Sequence, residues 1–320
     1  MDRLSAHIDR SWDLISRGEN ASALVAARKA LELDRENPEV HNLIGYIHAL
    51  DGEFDDALEN YRRAIDLDEC YLDPILNAAE LLAHPDGDPE EAIRLCRRAS
   101  ELELSSDEQA DTALIEIEAL FSAGRDDEVR QRIEALDDVE SLPPVYRAAI
   151  GRAFYDIGDL ERAREHVEAA LDADAGLADA WYCAGLIARD EGRRVDAVRA
   201  FTTVRAHDLE LPRLPWGAAG PEETAAAVAE AIVRLPEEQQ RLLEGVEVCV
   251  APYPDEAQIA DEVDPRQVVM AERIDAARGA YERLWVFALN LERTAPPTGA
   301  VDELERALSY EVGEPCRARR

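Results

Sequence analysis

The chain has 320 residues, of which 47% are hydrophobic and 33% charged, enough apolar material for a full core and too much for wholesale disorder. Seventy acidic side chains oppose 35 basic ones, a formal charge of -35 that phosphate backbones repel, so nucleic-acid binding is disfavoured. No apolar run approaches the roughly 18 residues of a membrane span, the N-terminus MDRLSAHIDR has no signal-peptide core, and the five scattered cysteines form no CxxC pair. These features predict no membrane partner, no disulfide framework, no zinc knuckle and a reducing, cytoplasmic setting. The basic residues are nearly all arginine, with Lys29 the only lysine; a GC-rich genome accounts for that bias, and a high-salt habitat also fits the acidity.

From the N-terminus onward the chain repeats itself. Glycines fall at Gly18, Gly52, Gly87, Gly124, Gly158 and Gly192, spaced 34, 35, 37, 34 and 34 apart. Five residues after each stands Ala23, Ala57, Ala92, Val129, Ala163 or Ala197, and seven further on Ala30, Ala64, Ala99, Leu136, Ala170 or Val204. Four before that last set come Ala27, Tyr61, Cys96, Ile133, Val167 and Phe201. Such a period means stacked supersecondary units. Each unit reads as two helices joined at the glycine, which tolerates φ > 0 at a helix C-terminus. Small residues at helical offsets share one face and let the paired helices approach. The larger residue of a unit, such as Tyr61 or Phe201, is expected to fill the gap to the neighbouring pair.

The pattern resembles the tetratricopeptide repeat, in about six copies over residues 4–207. The sixth copy, DAWYCAGLIARDEGRRVDAVRAFTTV, carries Trp181, Gly185, Gly192, Ala197 and Phe201 at the family's signature places, and the second, PEVHNLIGYIHALDGEFDDALENYRRAIDLD, matches nearly as well. The resemblance implies a mainly α fold, a right-handed solenoid of helix pairs with a concave groove, and no catalysis. Carried over, the groove positions are Ile8, Trp12 and Ile15; Asn42 and Tyr46; Leu76 and Glu80; Leu114, Glu118 and Phe121. They continue with Ala148, Arg152 and Tyr155, then Tyr182, Leu186 and Arg189. Of these, Trp12, Tyr46, Phe121, Arg152, Tyr155, Tyr182 and Arg189 are the candidate contacts to a protein or peptide partner. Packing of part of this face against a neighbouring element is the alternative. The lysine/asparagine clamp for a chaperone C-terminus is disfavoured, because no first helix carries a lysine. His41 and His48, seven apart, read as packing or solvent-facing residues rather than ligands. The pairs Arg62–Arg63, Arg97–Arg98 and Arg193–Arg194 read as solvated faces with helix ion pairs.

The register stops near Asp208, and DLELPRLPWGAAG, with Pro212, Pro215 and Gly217, reads as a linker over 208–220. A second domain follows over 221–320. PEETAAAVAEAIVRL and EEQQRLLEG predict two helices, VEVCVAPY a strand, RLWVFALNL a second apolar run and VDELERALSYEVGE a final amphipathic helix. The order LPEEQQRLLEGVEVCVAPYPDEA, VDPRQ, LWVFALNLER, DELERALSYEVGE resembles the small bacterial metallopeptidase-like domain called the minimal zincin, an α+β fold. In that family the last helix bears HExxH, whose histidines hold zinc while the glutamate acts as general base. Here the segment reads Tyr310-Glu311-Val312-Gly313-Glu314, with no histidine anywhere after His207. The resemblance therefore implies a degenerate metal site at Tyr310, Glu311 and Glu314, without metal or other cofactor.

The expectation is thus a non-catalytic interaction scaffold carrying a pseudo-metallopeptidase domain. A metal-dependent peptidase with an atypical ligand set, and a purely structural repeat protein capped by its last domain, are the alternatives.

Overall fold

The computed structural model describes residues 3–84, 87–136, 139–211, 220–272, 281–295 and 299–313. Twelve α-helices come first, in pairs: α1 (Arg3–Ser16) with α2 (Asn20–Leu33), α3 (Pro38–Leu50) with α4 (Phe54–Leu67), α5 (Leu72–Ala83) with α6 (Pro89–Ala99). They continue as α7 (Ser106–Ser122) with α8 (Asp126–Glu134), α9 (Pro144–Asp156) with α10 (Leu160–Ala173), and α11 (Ala178–Asp190) with α12 (Arg194–Glu210). Gly18, Gly52, Gly124, Gly158 and Gly192 sit between paired helices at φ of 67–77°, where a Cβ would be strained. Local chemistry starts several helices: Asn37 and Asp88 accept the N–H groups of Val40 and Glu91, and Ser105 with Glu108 forms a capping box.

The repeat register is reproduced in burial. Ala23, Ala57, Ala92, Val129, Ala163 and Ala197 are all fully buried. The larger residue of each unit works within its own pair. A Cβ on Gly45 of α3 would stand 2.7 Å from the Tyr61 ring of α4, and one on Gly151 would stand 2.7 Å from Val167 Cγ2. The expectation that the large residue serves the neighbouring pair is thereby corrected. Tyr61 fills the space over a glycine of its partner helix and only then reaches Ile75 and Ala78 of the next pair.

Contacts divide the chain into two compact units, Met1–Cys183 and Ala184–Arg320. In the N-terminal unit each first helix packs on its own second helix and on the first helix of the next repeat: α1 on α3, α3 on α5, α5 on α7, α7 on α9. Among the described residues, consecutive second helices make at most marginal contact, so the first helices line the inner face. Ion pairs cross between repeats. Arg62 holds Glu91, Arg125 holds Glu90 and Arg130 holds Asp159. Glu116, almost wholly buried, lies between Arg97 Nε at 3.0 Å and Arg132 Nε at 2.6 Å. The arginines expected to make intrahelical pairs thus reach farther: Arg62 and Arg97 tie successive repeats, Arg98 donates to the Glu69 carbonyl, and only Arg193 stays local, on Glu191 and Asp196.

The C-terminal unit contains α12, then α13 (Pro221–Arg234), α14 (Glu237–Leu242), β1 (Glu247–Ala251), α15 (Glu256–Ala260), β2 (Val269–Glu272), β3 (Arg283–Phe287), α16 (Ala288–Thr294) and α17 (Ala300–Gly313). Three strands form a sheet of order β1-β3-β2, with β3 parallel to β1 and antiparallel to β2. Alternation sends Leu284 and Val286 of β3 into a core with Val228 and Ala231 of α13 and Leu304, Leu308 and Val312 of α17. Trp285 and Phe287 face the other way, toward Val263 and Met270.

The division at 183/184 falls well before the boundary expected at 208–220, of which residues 212–219 lie outside the described residues. Its cause is the end of α12. Asp208, 1% exposed, meets Arg266 Nε at 3.1 Å and Arg293 Nη1 at 3.0 Å, while its carbonyl accepts the Tyr253 hydroxyl at 2.9 Å. Arg205 donates to the Pro254 carbonyl and Arg194 to that of Ala260. The second helix of the sixth repeat is therefore built into the α+β unit. Asp208→Asn leaves two guanidiniums without their counter-charge. The expected loss is about 3 kcal/mol, the low end for a broken buried pair because both arginines keep some solvent. Chemical denaturation followed at the C-terminal unit's Trp285 checks this, against an unchanged transition in the N-terminal unit.

Candidate functional site

The inner face of the N-terminal unit is built from the first helices, whose buried sides fix their outward residues. Ile8, Asn42 and Ala148, expected in the groove, are buried in packing. The aromatic candidates gather at its two ends. Trp12 of α1 and Tyr46 of α3 form a tilted ring pair with centroids 5.4 Å apart. Farther along, the Arg152 guanidinium lies 5.8 Å from the ring centroids of both Tyr155 and Tyr182, and its Nε is 2.9 Å from each Asp156 carboxylate oxygen. A guanidinium held between two phenol rings is fixed in orientation and offers its remaining donors to a ligand. Phe121 of α7 is half-buried. Arg189 lies in the C-terminal unit, over the Phe201 ring and within ion-pair range of Asp190 and Asp264.

Between the aromatic ends the face is polar and acidic. Asn77 Nδ2 donates to Asn42 Oδ1 at 3.1 Å, and Asn42 Nδ2 donates to the Tyr71 hydroxyl at 3.3 Å, a ladder from α3 to α5. Burial, with Asp73 adding to it, pushes the Tyr71 hydroxyl up to about 12. Glu118 keeps contact with solvent as a residue, yet packing around its carboxyl raises its pKa, and the nearby Glu80 raises it further against a smaller opposing effect of His84. Burial likewise raises Asp156, and Arg152 offsets part of that rise.

His41 and His48 turn to different partners: His41 to the Arg35 carbonyl and Asn60, His48 to Glu53. His48, Glu53 and Asp56 are the described group whose ligand-type atoms all lie within 4.8 Å. At the matching place in the other repeats stand Leu14, Ala83, Leu120, Phe154 and Ala188, all buried and apolar. His48 occupies the same buried position, and its Nδ1 pairs with Glu53.

In the C-terminal unit the HExxH-like segment lies on α17. Tyr310 is 74% exposed, whereas Glu311 turns inward and accepts the Ala271 N–H of edge strand β2 at 2.9 Å. Glu314 lies outside the described residues. The contact from Glu311 to β2 was not legible in the sequence, because β2 itself is four residues long and was not expected.

The architecture is that of a helical-repeat protein whose last helix enters an α+β unit. The tetratricopeptide-repeat family model matches residues 8–69 and 148–209, so tetratricopeptide repeats are present in those two stretches. Among solved structures, the chain is similar to PilF of Pseudomonas aeruginosa, at 18% identity over 64% of this chain and 91% of that one, TM-score 0.54. It is also similar to PilW, a type IV pilus biogenesis factor, at 15% identity over 65% and 94% of the two chains, TM-score 0.57. At these identities the likeness is one of fold. No curated relative matches the chain. Among the described residues, no helix is long and apolar enough to cross a membrane.

The raised Glu118 carboxyl has a thermodynamic consequence. Its proton affinity is higher folded than unfolded, where a glutamate titrates near about 4.3. The folded state is therefore penalised as pH rises from that value through the folded one, and the full penalty applies above it. Glu118→Gln is expected to raise the melting temperature at pH 7, and the difference between the two proteins should vanish below about pH 4. Melting curves across that range check the sign; an equal gain at both ends would assign it to something other than titration.

Proposed function

We propose that this chain is a non-catalytic scaffold that holds a segment of a partner protein along the inner face of its tetratricopeptide repeats. The observation that carries the reading is the placement of Trp12 with Tyr46 and of Arg152 between Tyr155 and Tyr182 on first helices at opposite ends of that face. Rigid aromatics bury much area at little conformational cost, and such residues dominate recognition surfaces. The scattered cysteines, without a CxxC pair, favour a cytoplasmic setting.

The C-terminal unit is, in this reading, a pseudo-metallopeptidase. Its support is the pair of lost histidines at Tyr310 and Glu314 and the engagement of Glu311, at the position of the general base, with a backbone N–H. A carboxylate serving as a structural acceptor is poorly placed to take a proton from water. Purified protein is expected to hold no stoichiometric zinc, and chelators should leave its melting temperature unchanged. A chelator-induced fall of several degrees would instead favour the peptidase alternative.

The groove is tested on the partner that co-purifies from the native host. Tyr46→Ala with Tyr182→Ala should weaken binding by roughly 2 kcal/mol or more, as truncating hot-spot aromatics does. Glu59→Ala with Arg63→Ala, on the opposite, exposed surface of α4, should leave it nearly unchanged. The reverse outcome places recognition on the second helices and removes the groove reading.

A further inference from the structure

The second helices share an outward face, and one of them departs from the rest. Counted from the turn glycine, the third, fourth and seventh residues are Asp55, Asp56 and Glu59 in α4, and Glu90, Glu91 and Arg94 in α6. They are Asp127, Glu128 and Gln131 in α8, and Glu161, Arg162 and Glu165 in α10. In α2 they are Ala21, Ser22 and Val25. The first turns of α4, α6, α8 and α10 all carry acids, and that of α2 carries none. Acids there are favoured by the helix dipole, so α2 forgoes a stabilisation its sister helices keep.

What replaces the acids is a cleft of about 390 Å³ between α1 and α2. Its floor is Leu14, Ala26 and the alanine, serine and valine just named; its rim is His7, Arg10 and Lys29, and no carboxylate lines it. Among the described residues, none of His7, Arg10 and Lys29 has a carboxylate partner. An apolar floor, three basic groups and the positive end of a helix fit an apolar side chain surrounded by acids.

The chain itself displays such a group. Phe54, the first residue of α4, is 50% exposed and is flanked by Asp51, Glu53, Asp55 and Asp56. Asn20 Nδ2 donates to Asp51 Oδ1 at 2.8 Å, which ties the start of α2 to the turn carrying Phe54. The turn carrying Phe54 therefore adjoins the start of α2, one repeat along from the cleft. Two distinct, complementary features on one chain can serve a two-fold contact, in which each copy supplies the knob to the other's cleft.

We propose that the α1–α2 cleft is a self-association site, filled by Phe54 and its flanking carboxylates from a second copy of this chain. The occupant is chosen by charge complementarity. The chain's net charge opposes approach at long range, but at physiological salt such repulsion is screened beyond about 8 Å, while the contact itself pairs acids with bases. The site is separate from the inner-face groove, so either can stand without the other.

Sedimentation velocity on the full chain, from low micromolar to submillimolar concentration at physiological salt, tests the proposal. The expected result is a monomer–dimer equilibrium. Val25→Glu, Phe54→Ser, and Arg10→Glu with Lys29→Glu should each weaken it by about tenfold or more. Val25 and Phe54 are half exposed, so these variants should keep the parent circular dichroism and melting temperature. A chain monomeric throughout the range overturns the proposal. So does a dimer indifferent to Val25→Glu, to Phe54→Ser or to the charge reversal.

Discussion

Asp208 loses nearly all contact with water, at a cost of several kcal/mol for an isolated carboxylate, and two guanidiniums replace the solvent around it. Those guanidiniums belong to Arg266, in the loop before β2, and to Arg293, in α16. A helix that ends on such a charge cannot leave its partners without exposing them all at once. The same solution appears in the N-terminal unit, where Glu116 is buried between Arg97 and Arg132 of α6 and α8. In a chain with two acids for every base, arginine is the scarce component. These two buried carboxylates draw it to junctions between successive elements.

The consequence for architecture is that α12 belongs to two patterns. Its Ala197, Phe201 and Val204 keep the small and large residues of the repeat, and a Cβ on Gly185 would collide with the Phe201 ring as in the other pairs. Along its length, from Arg194 through Arg205 to Asp208, it is fastened to the segment from Pro254 to Arg266 and to Arg293. The helix therefore carries the repeat pattern and is fastened by polar contacts to the α+β unit.

Much of this was legible in the sequence. The turn glycines and the alanines five residues beyond them mark a steric requirement, so they repeat regardless of surface chemistry. The helices α13, α14 and α17 and strands β1 and β3 were marked by prolines, glycines and apolar runs. The strand β2 and the helix α15 were not, because four or five residues carry too little periodicity to separate from a loop. Asp208 was read as the place where the repeat ends; that an acid is buried by two arginines 58 and 85 positions later is a tertiary fact with no local signal. Of the groove candidates, Trp12 pairs with Tyr46 and Arg152 lies near Tyr155 and Tyr182, contacts that close helical offsets and neighbouring first helices allow.

The central claim is that α12 is folded with the α+β unit. Hydrogen–deuterium exchange resolved by peptide measures that directly. The account predicts that amides of α12 open together with those of β1, β3 and α17, at one shared free energy distinct from that of α9 and α10. Exchange of α12 in step with α9 and α10, while the sheet opens separately, would contradict it.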